Sequence, residues 1–416
     1  MIADKAGRLR RHPVAIVQDH ADARRQTACM RRDENLAFQP AFPHVNECRG
    51  NSHALWSWAV ERETASPGGV RHTFLRPATS TTAAADAAAL RQLIMGFRMT
   101  QMIHAAASLG VADQLRDSPK SARALAAAVG AHPASLGRLL RALATVGIFR
   151  ETKRGEFELT ARARLLCSDT PGSLRGMAVL YGEDWLWRAY GHTAHAVRTG
   201  EPGFDQVHGV AFYPYLQAHP HAAARFDDAM SGYSAIEARA IVEAFDFSDV
   251  PSIVDVGGGQ GVLAAALLHA HPRLHATVFD LAGPIAEARR IAVNAGLHHR
   301  CNCVAGDFFV EVPPADGVVL LKSVLHNWDD SRAIVLLRNC RRAMQSGARL
   351  LIAERLLAAG DAPSEAALFD INMLVVAAGQ ERRQSQYRAL LARAGFAVTR
   401  VIATASALSL IEAKPE

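Results

Sequence analysis

The sequence contains no apolar run that approaches the roughly 20 residues of a membrane-spanning helix. Near its start, the short apolar patch Val14 to Val17 is followed by polar residues, so we expect no secretory signal peptide. Half of the 416 residues are apolar and 21% are charged, which is typical of an ordinary globular protein. These features predict a cytoplasmic protein with two or three folded domains.

Cysteine is scarce and widely scattered, at positions Cys29, Cys48, Cys167, Cys301, Cys303 and Cys340. Cys301 and Cys303 are one residue apart, but no second pair follows at the spacing of a zinc site. We therefore expect no metal site, and free thiols in a reducing compartment.

Excess positive charge is concentrated in one part of the chain. Of the net charge of +6, residues 1–80 carry +4, from twelve Lys or Arg and eight Asp or Glu. The remaining residues are close to neutral, unlike a protein that binds a polyanion along its surface. The charge distribution therefore predicts no nucleic-acid partner.

Residues 1–82 lack a sustained period of either 2 or 3.6 residues. We expect this segment to be a disordered extension, or to precede the true start codon, and in both cases to be dispensable.

From residue 83 the pattern becomes helical. Leu90, Leu93, Ile94 and Phe97 follow the spacing i, i+3, i+4, i+7, which predicts one face of an amphipathic helix.

The next segment has the element order of a winged helix. A short helix is predicted between the N-cap Ser121 and the terminating Gly130, and another begins at Pro133. Alternating residues over 147–159 then predict a hairpin. Such a unit can bind DNA, or it can serve for dimerisation and form one wall of a substrate pocket. We assign residues 83–200 to this domain and 201–250 to helices that link it to the rest of the chain and contribute to the pocket.

After Pro251, short β-branched runs alternate with helical stretches. This alternation predicts a mainly parallel, doubly wound sheet over residues 251–416. The last two strands have no long crossover between them, so we expect an antiparallel hairpin. The seven predicted strands are Ser252–Val256, Thr277–Phe279, Cys303–Ala305, Val318–Leu321, Leu350–Ala353, Val398–Ile402 and Leu408–Ile411.

A glycine-rich turn follows the first of these strands. Gly257 and Gly259 let the backbone turn tightly and approach a ligand at the carboxyl edge of the sheet. Asp280 ends the next strand, where it can accept hydrogen bonds from a ribose diol. Part of the turn also fits a dinucleotide pattern. Asp255, which precedes the glycines, and the early position of Gly257 argue against that alternative, and the turn predicts a nucleoside site.

Further polar and aromatic residues follow the other strands. Asp307 and Phe308 come after the third strand, where a carboxylate and an aromatic ring could hold an adenine. Lys322 ends the fourth strand, and His326 follows four residues later. Glu354 ends the fifth strand. A histidine at the ligand-binding edge of the sheet, close to a carboxylate that can fix its tautomer, is a candidate general base.

These motifs together resemble the O-methyltransferase family of plant phenylpropanoid enzymes and their bacterial natural-product relatives, over residues 83–416. The resemblance implies a Rossmann-like α/β methyltransferase domain, with a seven-stranded, mostly parallel sheet and an antiparallel C-terminal hairpin. A mostly helical winged-helix dimerisation domain precedes it. The segments that carry the resemblance are Val254–Gly261, Phe279–Leu281, Gly306–Phe309, Leu321–Asp330, Ala353–Glu354 and Gly379–Arg382.

The resemblance also implies a cofactor, S-adenosylmethionine, and a role for each matched residue. His326 matches the catalytic base, between the carboxylates of Glu354 and Glu381. Met230 matches a wall of the substrate pocket. The residues that match the cofactor site are Gly257 and Gly259, Asp280 for the ribose, Asp307, Phe308 and Trp328 for the adenine, Lys322 nearby, and Ser234 for the methionine carboxylate.

Two positions depart from the family pattern. Asn327 stands where many members have Asp, and the apolar stretch 373–379, which begins at Met373, replaces residues that plant members place against phenols. We include both in the predicted pocket.

The expected reaction is metal-free methylation of a hydroxyl on a small, aromatic secondary metabolite, by a homodimer. Two alternatives are a relative that uses S-adenosylmethionine for decarboxylation or hydroxylation, and a DNA-binding regulator.

Overall fold

The computed structural model describes residues 83–360 and 364–416, and the expectation for residues 1–82 lies outside this range. The helices are α1 (Ala83–Ile94), α2 (Gly96–Ser108), α3 (Ala122–Val129), α4 (Pro133–Thr145), α5 (Ala161–Arg164), α6 (Arg175–Leu180), α7 (Asp184–Gly191), α8 (Thr193–Thr199), α9 (Gly203–His208), α10 (Phe212–Ala218), α11 (Pro220–Ala244), α12 (Val262–Ala270), α13 (Ala282–Asn294), α14 (Asp330–Ala343), α15 (Glu365–Val376) and α16 (Gln384–Arg393).

Ten strands form two sheets in the described residues. The strands are β1 (Lys120–Ser121), β2 (Phe149–Glu151), β3 (Glu156–Leu159), β4 (Ser252–Val256), β5 (His275–Asp280), β6 (Cys301–Ala305), β7 (Val318–Lys322), β8 (Arg349–Arg355), β9 (Phe396–Ala403) and β10 (Leu408–Pro415). Short 3-10 turns cover Asp113–Leu115 and Leu325–Asn327. No helix in the described part of the chain is both long enough and apolar enough to span a membrane.

The N-terminal domain has the winged-helix order expected from the sequence. The Ser121 side chain caps α3 by accepting a hydrogen bond from the Ala124 N–H, and Gly130 ends the helix in a left-handed conformation. β2 and β3 form the predicted hairpin, and β1 adds a third strand that the sequence did not reveal. Leu140 and Phe157 lie in the buried core of this unit.

The first predicted helix is interrupted. Instead of one helix through Phe97, α1 ends at Ile94 and α2 begins at Gly96, with Met95 between them. Gly96 weakens helix formation at this point, because glycine loses more backbone entropy on folding than other residues. The expectation of one continuous helical face was therefore wrong, and Phe97 lies on the second helix.

The larger sheet has the strand order β6-β5-β4-β7-β8-β10-β9. The first five strands are parallel, whereas β10 is antiparallel to both β8 and β9. All seven predicted strands and the terminal hairpin are confirmed, although most strands extend beyond the predicted ends. The chain reverses its direction of winding between β4 and β7, and ligands bind beside such a switch point at the carboxyl ends of the strands.

Candidate active site

The turn between β4 and α12 leaves part of its backbone accessible to a ligand. Gly257 and Gly259 have φ angles of +72° and +58°, in the left-handed region that favours glycine. A Cβ on Gly257 would lie 2.8 Å from Cγ2 of Val324, whereas one on Gly259 would meet no heavy atom within 4 Å. The turn is therefore tightly packed on one side and has free space beside Gly259.

Asp280 lies beside this turn at the end of β5. Its Oδ2 accepts a hydrogen bond of 2.8 Å from the Gly259 N–H, and its Oδ1 accepts one of 2.7 Å from the Leu281 N–H. Burial raises the pKa of this carboxyl above its ordinary value, although both hydrogen bonds oppose the shift. Asp227 on α11 lies nearby, and burial together with the charge of Asp280 raises its pKa to about 6. No local pattern in the sequence marks Asp227 as a site residue.

Aromatic rings form a second part of the site. The ring of Phe308 meets that of Trp328 edge-on, with centroids 6.1 Å apart, and Tyr213 of α10 stacks on Trp328 at 5.5 Å. The Trp328 Nε1 is buried and has no hydrogen-bond partner in the described residues. Asp307 accepts a hydrogen bond of 2.8 Å from the Phe309 N–H at the same edge of the sheet. These residues can hold a flat ring that carries hydrogen-bonding groups.

Lys322 connects β7 to α11. Its ammonium donates a hydrogen bond of 3.0 Å to Ser234 Oγ and lies 2.6 Å from Glu237 Oε2. Glu237 also accepts a hydrogen bond of 2.8 Å from Arg355 on β8. Glu237 and Arg355 are buried, and the sequence analysis missed both because nothing local in α11 marks Glu237 as different from a surface glutamate.

Glu354 fixes the backbone of the loop that carries His326. Its Oε1 accepts hydrogen bonds from the N–H groups of Val324, Leu325 and His326, at 3.0, 2.8 and 3.3 Å. Ser323, at the start of the loop, has a φ of 53°, a conformation that is uncommon for residues other than glycine. Three buried hydrogen bonds to one carboxylate oxygen offset the strain of such a backbone.

The imidazole of His326 is held by Glu381. Its Nδ1 lies 2.7 Å from Glu381 Oε1 and 3.6 Å from Glu354 Oε2, and its ring stacks on Phe369 with centroids 5.9 Å apart. Burial lowers the pKa of His326, but the two glutamates outweigh this effect and the net shift is upward. Since Glu381 engages Nδ1, Nε2 is the ring nitrogen that could accept a proton.

Two residues of the loop after α15 secure this arrangement, in roles that were not predicted from the sequence. A Cβ on Gly379 would lie 2.0 Å from the His326 carbonyl oxygen, so only glycine fits. The guanidinium of Arg382 is buried and donates to the carbonyls of Leu325 and Trp328, at 3.0 and 2.7 Å. Together they hold the loop before α16 against the His326 turn.

One nitrogen of His326 and carboxylate oxygens of Glu354 and Glu381 lie within 4.8 Å of one another, a spacing that could hold a metal ion. Glu381 Oε1 already binds Nδ1 and Glu354 Oε1 accepts the three backbone hydrogen bonds, whereas the Oε2 atom of each glutamate is buried without a hydrogen-bond partner among the described residues. Hydrogen bonds therefore organise this cluster through one oxygen of each glutamate.

One cavity of about 1080 Å³ brings most of the predicted residues together. Glu354 and Glu381 lie behind His326 rather than in the cavity wall. Asn327 lines the cavity and also donates a hydrogen bond of 3.2 Å to the Ser323 carbonyl. The predicted residues that line the cavity are Met230, Ser234, Gly257, Gly259, Asp280, Asp307, Phe308, Lys322, His326, Asn327, Trp328 and Met373.

Comparison with known proteins assigns both domains to one enzyme family. Residues 190–397 match the family model of an O-methyltransferase domain, and residues 91–169 match that of an O-methyltransferase dimerisation domain. The phenazine O-methyltransferase of Lysobacter antibioticus is 42% identical over 326 residues, which make up 78% of this chain and 95% of that protein.

Solved structures show the same similarity. The crystal structure of LaPhzM has a TM-score of 0.77 and 42% identity, over 79% of this chain and 99% of that one. A crystal structure of an O-methyltransferase from neocarzinostatin biosynthesis has a TM-score of 0.65 and 34% identity, over 76% of this chain and 96% of that one. It is in complex with S-adenosylmethionine and 2-hydroxy-5-methyl naphthoic acid.

Proposed function

Because this chain belongs to the S-adenosylmethionine-dependent O-methyltransferase family, we propose that it methylates a hydroxyl of a small aromatic metabolite with His326 as the general base. One observation carries the assignment of the base. His326 lines the same cavity as the glycine turn, and its Nδ1 is engaged by Glu381 at 2.7 Å. The imidazole therefore has one nitrogen available to a substrate hydroxyl.

The cavity wall fits the cofactor by its chemistry. The accessible backbone at Gly259 and the carboxylate of Asp280 suit a ribose. The rings of Phe308 and Trp328 suit the flat face of an adenine, and Asp307 suits its polar edge. The buried Nε1 of Trp328, which has no partner among the residues that the structure describes, is a further donor at this end. When bound, S-adenosylmethionine supplies a methyl group that is activated by its sulfonium.

Ser234 and Lys322 suit the methionine carboxylate of the cofactor, since they place a hydroxyl and an ammonium together at the cavity wall. Glu237 offsets part of the lysine charge and holds the ammonium in place. A positioned cation of this kind binds a carboxylate strongly where water is largely excluded.

His326 removes the proton of the substrate hydroxyl at Nε2. A phenol with a pKa of about 10 is only about 0.1% ionised at pH 7, so proton removal increases the concentration of the nucleophilic oxygen. Glu381 accepts a hydrogen bond from the Nδ1–H group, which fixes the tautomer and stabilises the imidazolium as it forms. Glu354 adds negative charge from 3.6 Å away and keeps the loop in place.

The direct test is a methyl-transfer assay with a panel of hydroxylated aromatic compounds. The protein is incubated with S-adenosylmethionine and each compound, and both the methyl ether and S-adenosylhomocysteine are measured by mass spectrometry. Formation of both products in equal amounts supports the proposal. A protein that binds S-adenosylmethionine but methylates no hydroxyl across the panel would contradict it.

The pH dependence of catalysis should report the environment of His326. The base acts when neutral, and its pKa is raised above the ordinary 6.5, so activity should increase with pH through a midpoint above 6.5. Glu381→Gln removes one source of the upward shift, and the midpoint should therefore move to lower pH. We expect kcat to fall about tenfold at the plateau, because the imidazole loses its charged partner.

The control for this experiment is Glu354→Ala. It deprives three buried N–H groups of their acceptor, so it should lower the melting temperature, whereas Glu381→Gln should leave it nearly unchanged. Rates are measured with one phenol throughout, since the substrate has its own ionisation. An unshifted midpoint in Glu381→Gln would show that another group sets the pH dependence.

We also propose that the chain forms a homodimer through residues 83–200. Large apolar side chains of α1 and α2 are exposed in the protomer: Leu90 by 59%, Leu93 by 63%, Ile94 by 61% and Phe97 by 52%. The match to an O-methyltransferase dimerisation domain over 91–169 supports the same surface. Light scattering should give the mass of a dimer at micromolar protein concentration.

A pair of variants tests whether this surface forms the interface. Leu93→Glu places a charge among the exposed apolar side chains and should increase the dimer dissociation constant. Val293→Glu is the matched control, because Val293 is 59% exposed but lies on α13, outside residues 83–200. A monomeric wild type, or equal dissociation of both variants, would contradict this interface.

A further inference from the structure

Asn372 is a polar residue in a largely apolar part of the cavity wall. It lies on α15, one turn beyond Phe369, whose ring stacks on His326. Its neighbours Met373 and Val376 also line the cavity, and both are buried apolar side chains. Residues three apart on a helix lie on the same face, and Phe369 and Asn372 both line the cavity that contains His326.

The side-chain amide of Asn372 is oriented by Tyr190 of α7. The Tyr190 hydroxyl donates a hydrogen bond of 2.6 Å to Asn372 Oδ1. Burial raises the pKa of Tyr190 above its ordinary value, so the hydroxyl stays protonated and needs an acceptor. This requirement turns the amide oxygen towards Tyr190. The Asn372 Nδ2 makes no hydrogen bond with the residues that the structure describes, so its N–H groups remain available on the cavity side.

We propose that Asn372 determines specificity by donating a hydrogen bond to an acceptor atom on the aromatic substrate. The inference rests on the proposed function, because it assumes that a hydroxyl of the same substrate meets His326. It deepens that function by naming a substrate class. The substrate is a hydroxylated aromatic that carries a second polar atom able to accept a hydrogen bond, such as a carbonyl oxygen or a ring nitrogen.

The physical basis is the cost of an unpaired donor. A substrate that covers the Asn372 amide without offering an acceptor displaces water from the N–H groups and forms no hydrogen bond in its place, which weakens binding. Sites that are built to hydrogen-bond a substrate therefore reject analogues that lack the matching atom more strongly than they reject small changes in apolar shape. The fixed amide should act in this way, because Tyr190 prevents it from turning its oxygen to the cavity.

The experiment compares hydroxyquinolines with naphthols that carry the hydroxyl at the same position, so that each pair differs by one ring atom. We measure kcat/KM for each compound and identify the product as the methyl ether, because the ring nitrogen could itself be methylated. Wild type should favour at least one hydroxyquinoline over its naphthol. Asn372→Leu should lower kcat/KM for that hydroxyquinoline by about 3- to 10-fold and leave the naphthol unchanged or faster.

Two further variants separate hydrogen bonding from shape. Asn372→Asp keeps the size of the side chain and the acceptor for Tyr190, but it presents a carboxylate oxygen to the cavity. It should therefore penalise the hydroxyquinoline more than Asn372→Leu does. Tyr190→Phe frees the amide to rotate and should reduce the preference only partly. Melting temperature and calorimetric affinity for S-adenosylhomocysteine are measured for every variant, to show that each one is folded.

The outcomes distinguish this inference from the proposed function. An equal loss for both members of a pair, or no preference in wild type for any hydroxyquinoline, would overturn the role of Asn372 while methyl transfer to hydroxyls still stands. A wild-type protein that methylates neither set would overturn the proposed function and the inference with it.

Discussion

Replacing His326 by alanine is expected to lower kcat by about 10²–10⁴ while the affinity for S-adenosylmethionine stays nearly unchanged. The imidazole lines the cavity and is fixed by Glu381, and within the described part of the chain its ring makes no hydrogen bond to the residues proposed to hold the cofactor. Removal of the side chain should therefore affect proton transfer and not binding. Calorimetry gives the affinity, and methyl-ether formation under saturating conditions gives kcat.

The size of this loss should depend on the acidity of the acceptor. A phenol with a pKa near 7 is about half ionised at neutral pH, so much of the lost rate should return without a base. Higher pH should likewise restore part of the activity with ordinary phenols. An equal loss for phenols of every acidity would instead show that His326 positions the substrate and that the proton leaves by another route.

The second large effect concerns Asp280. Its carboxylate is held by the Gly259 and Leu281 N–H groups at the edge of the glycine turn, and it lines the cavity. If it accepts hydrogen bonds from both ribose hydroxyls, Asp280→Ala should weaken the binding of S-adenosylmethionine by about 1.5–3 kcal/mol, or roughly 10- to 150-fold in the dissociation constant.

Asp249→Ala is the matched control, because it removes an exposed carboxylate that lies before β4 and outside the cavity. S-adenosylhomocysteine, which carries the same ribose, should lose affinity for Asp280→Ala to a similar extent. Unchanged affinity in a folded Asp280→Ala variant would remove the ribose assignment. A loss confined to S-adenosylmethionine would point to an effect on the sulfonium charge instead.

Several features of the site could be predicted because they are local in the chain. The glycines after β4, Asp280 at the end of β5 and His326 after β7 each follow a strand, and parallel strands bring their carboxyl ends to one edge. These residues could therefore be expected at one edge of the sheet even before the order of the strands was known. The resemblance to a family added Ser234, Met230 and Glu381, whose positions no local pattern indicates.

Other features depend on which helix faces which. Tyr190 and Asn372 are 182 residues apart, and their hydrogen bond exists only because α7 packs against α15. Glu237 looks like an ordinary helical glutamate until α11 brings it against Lys322 and Arg355. Met95 likewise lies within a good apolar pattern, yet the helix breaks there. Periodicity tells which face of an element is buried, but not its partner.

The sequence by itself determined the doubly wound sheet, the winged-helix order and the set of strand-end residues, because hydrophobic period, capping residues and glycine conformation act over a few neighbouring positions. Only the tertiary structure decided that Glu381 rather than Glu354 bonds the imidazole directly, that Glu354 mainly holds the loop, and that Asn372 offers its amide nitrogen to the cavity. Those contacts join distant segments, and they depend on packing angles and side-chain rotamers that no local pattern contains.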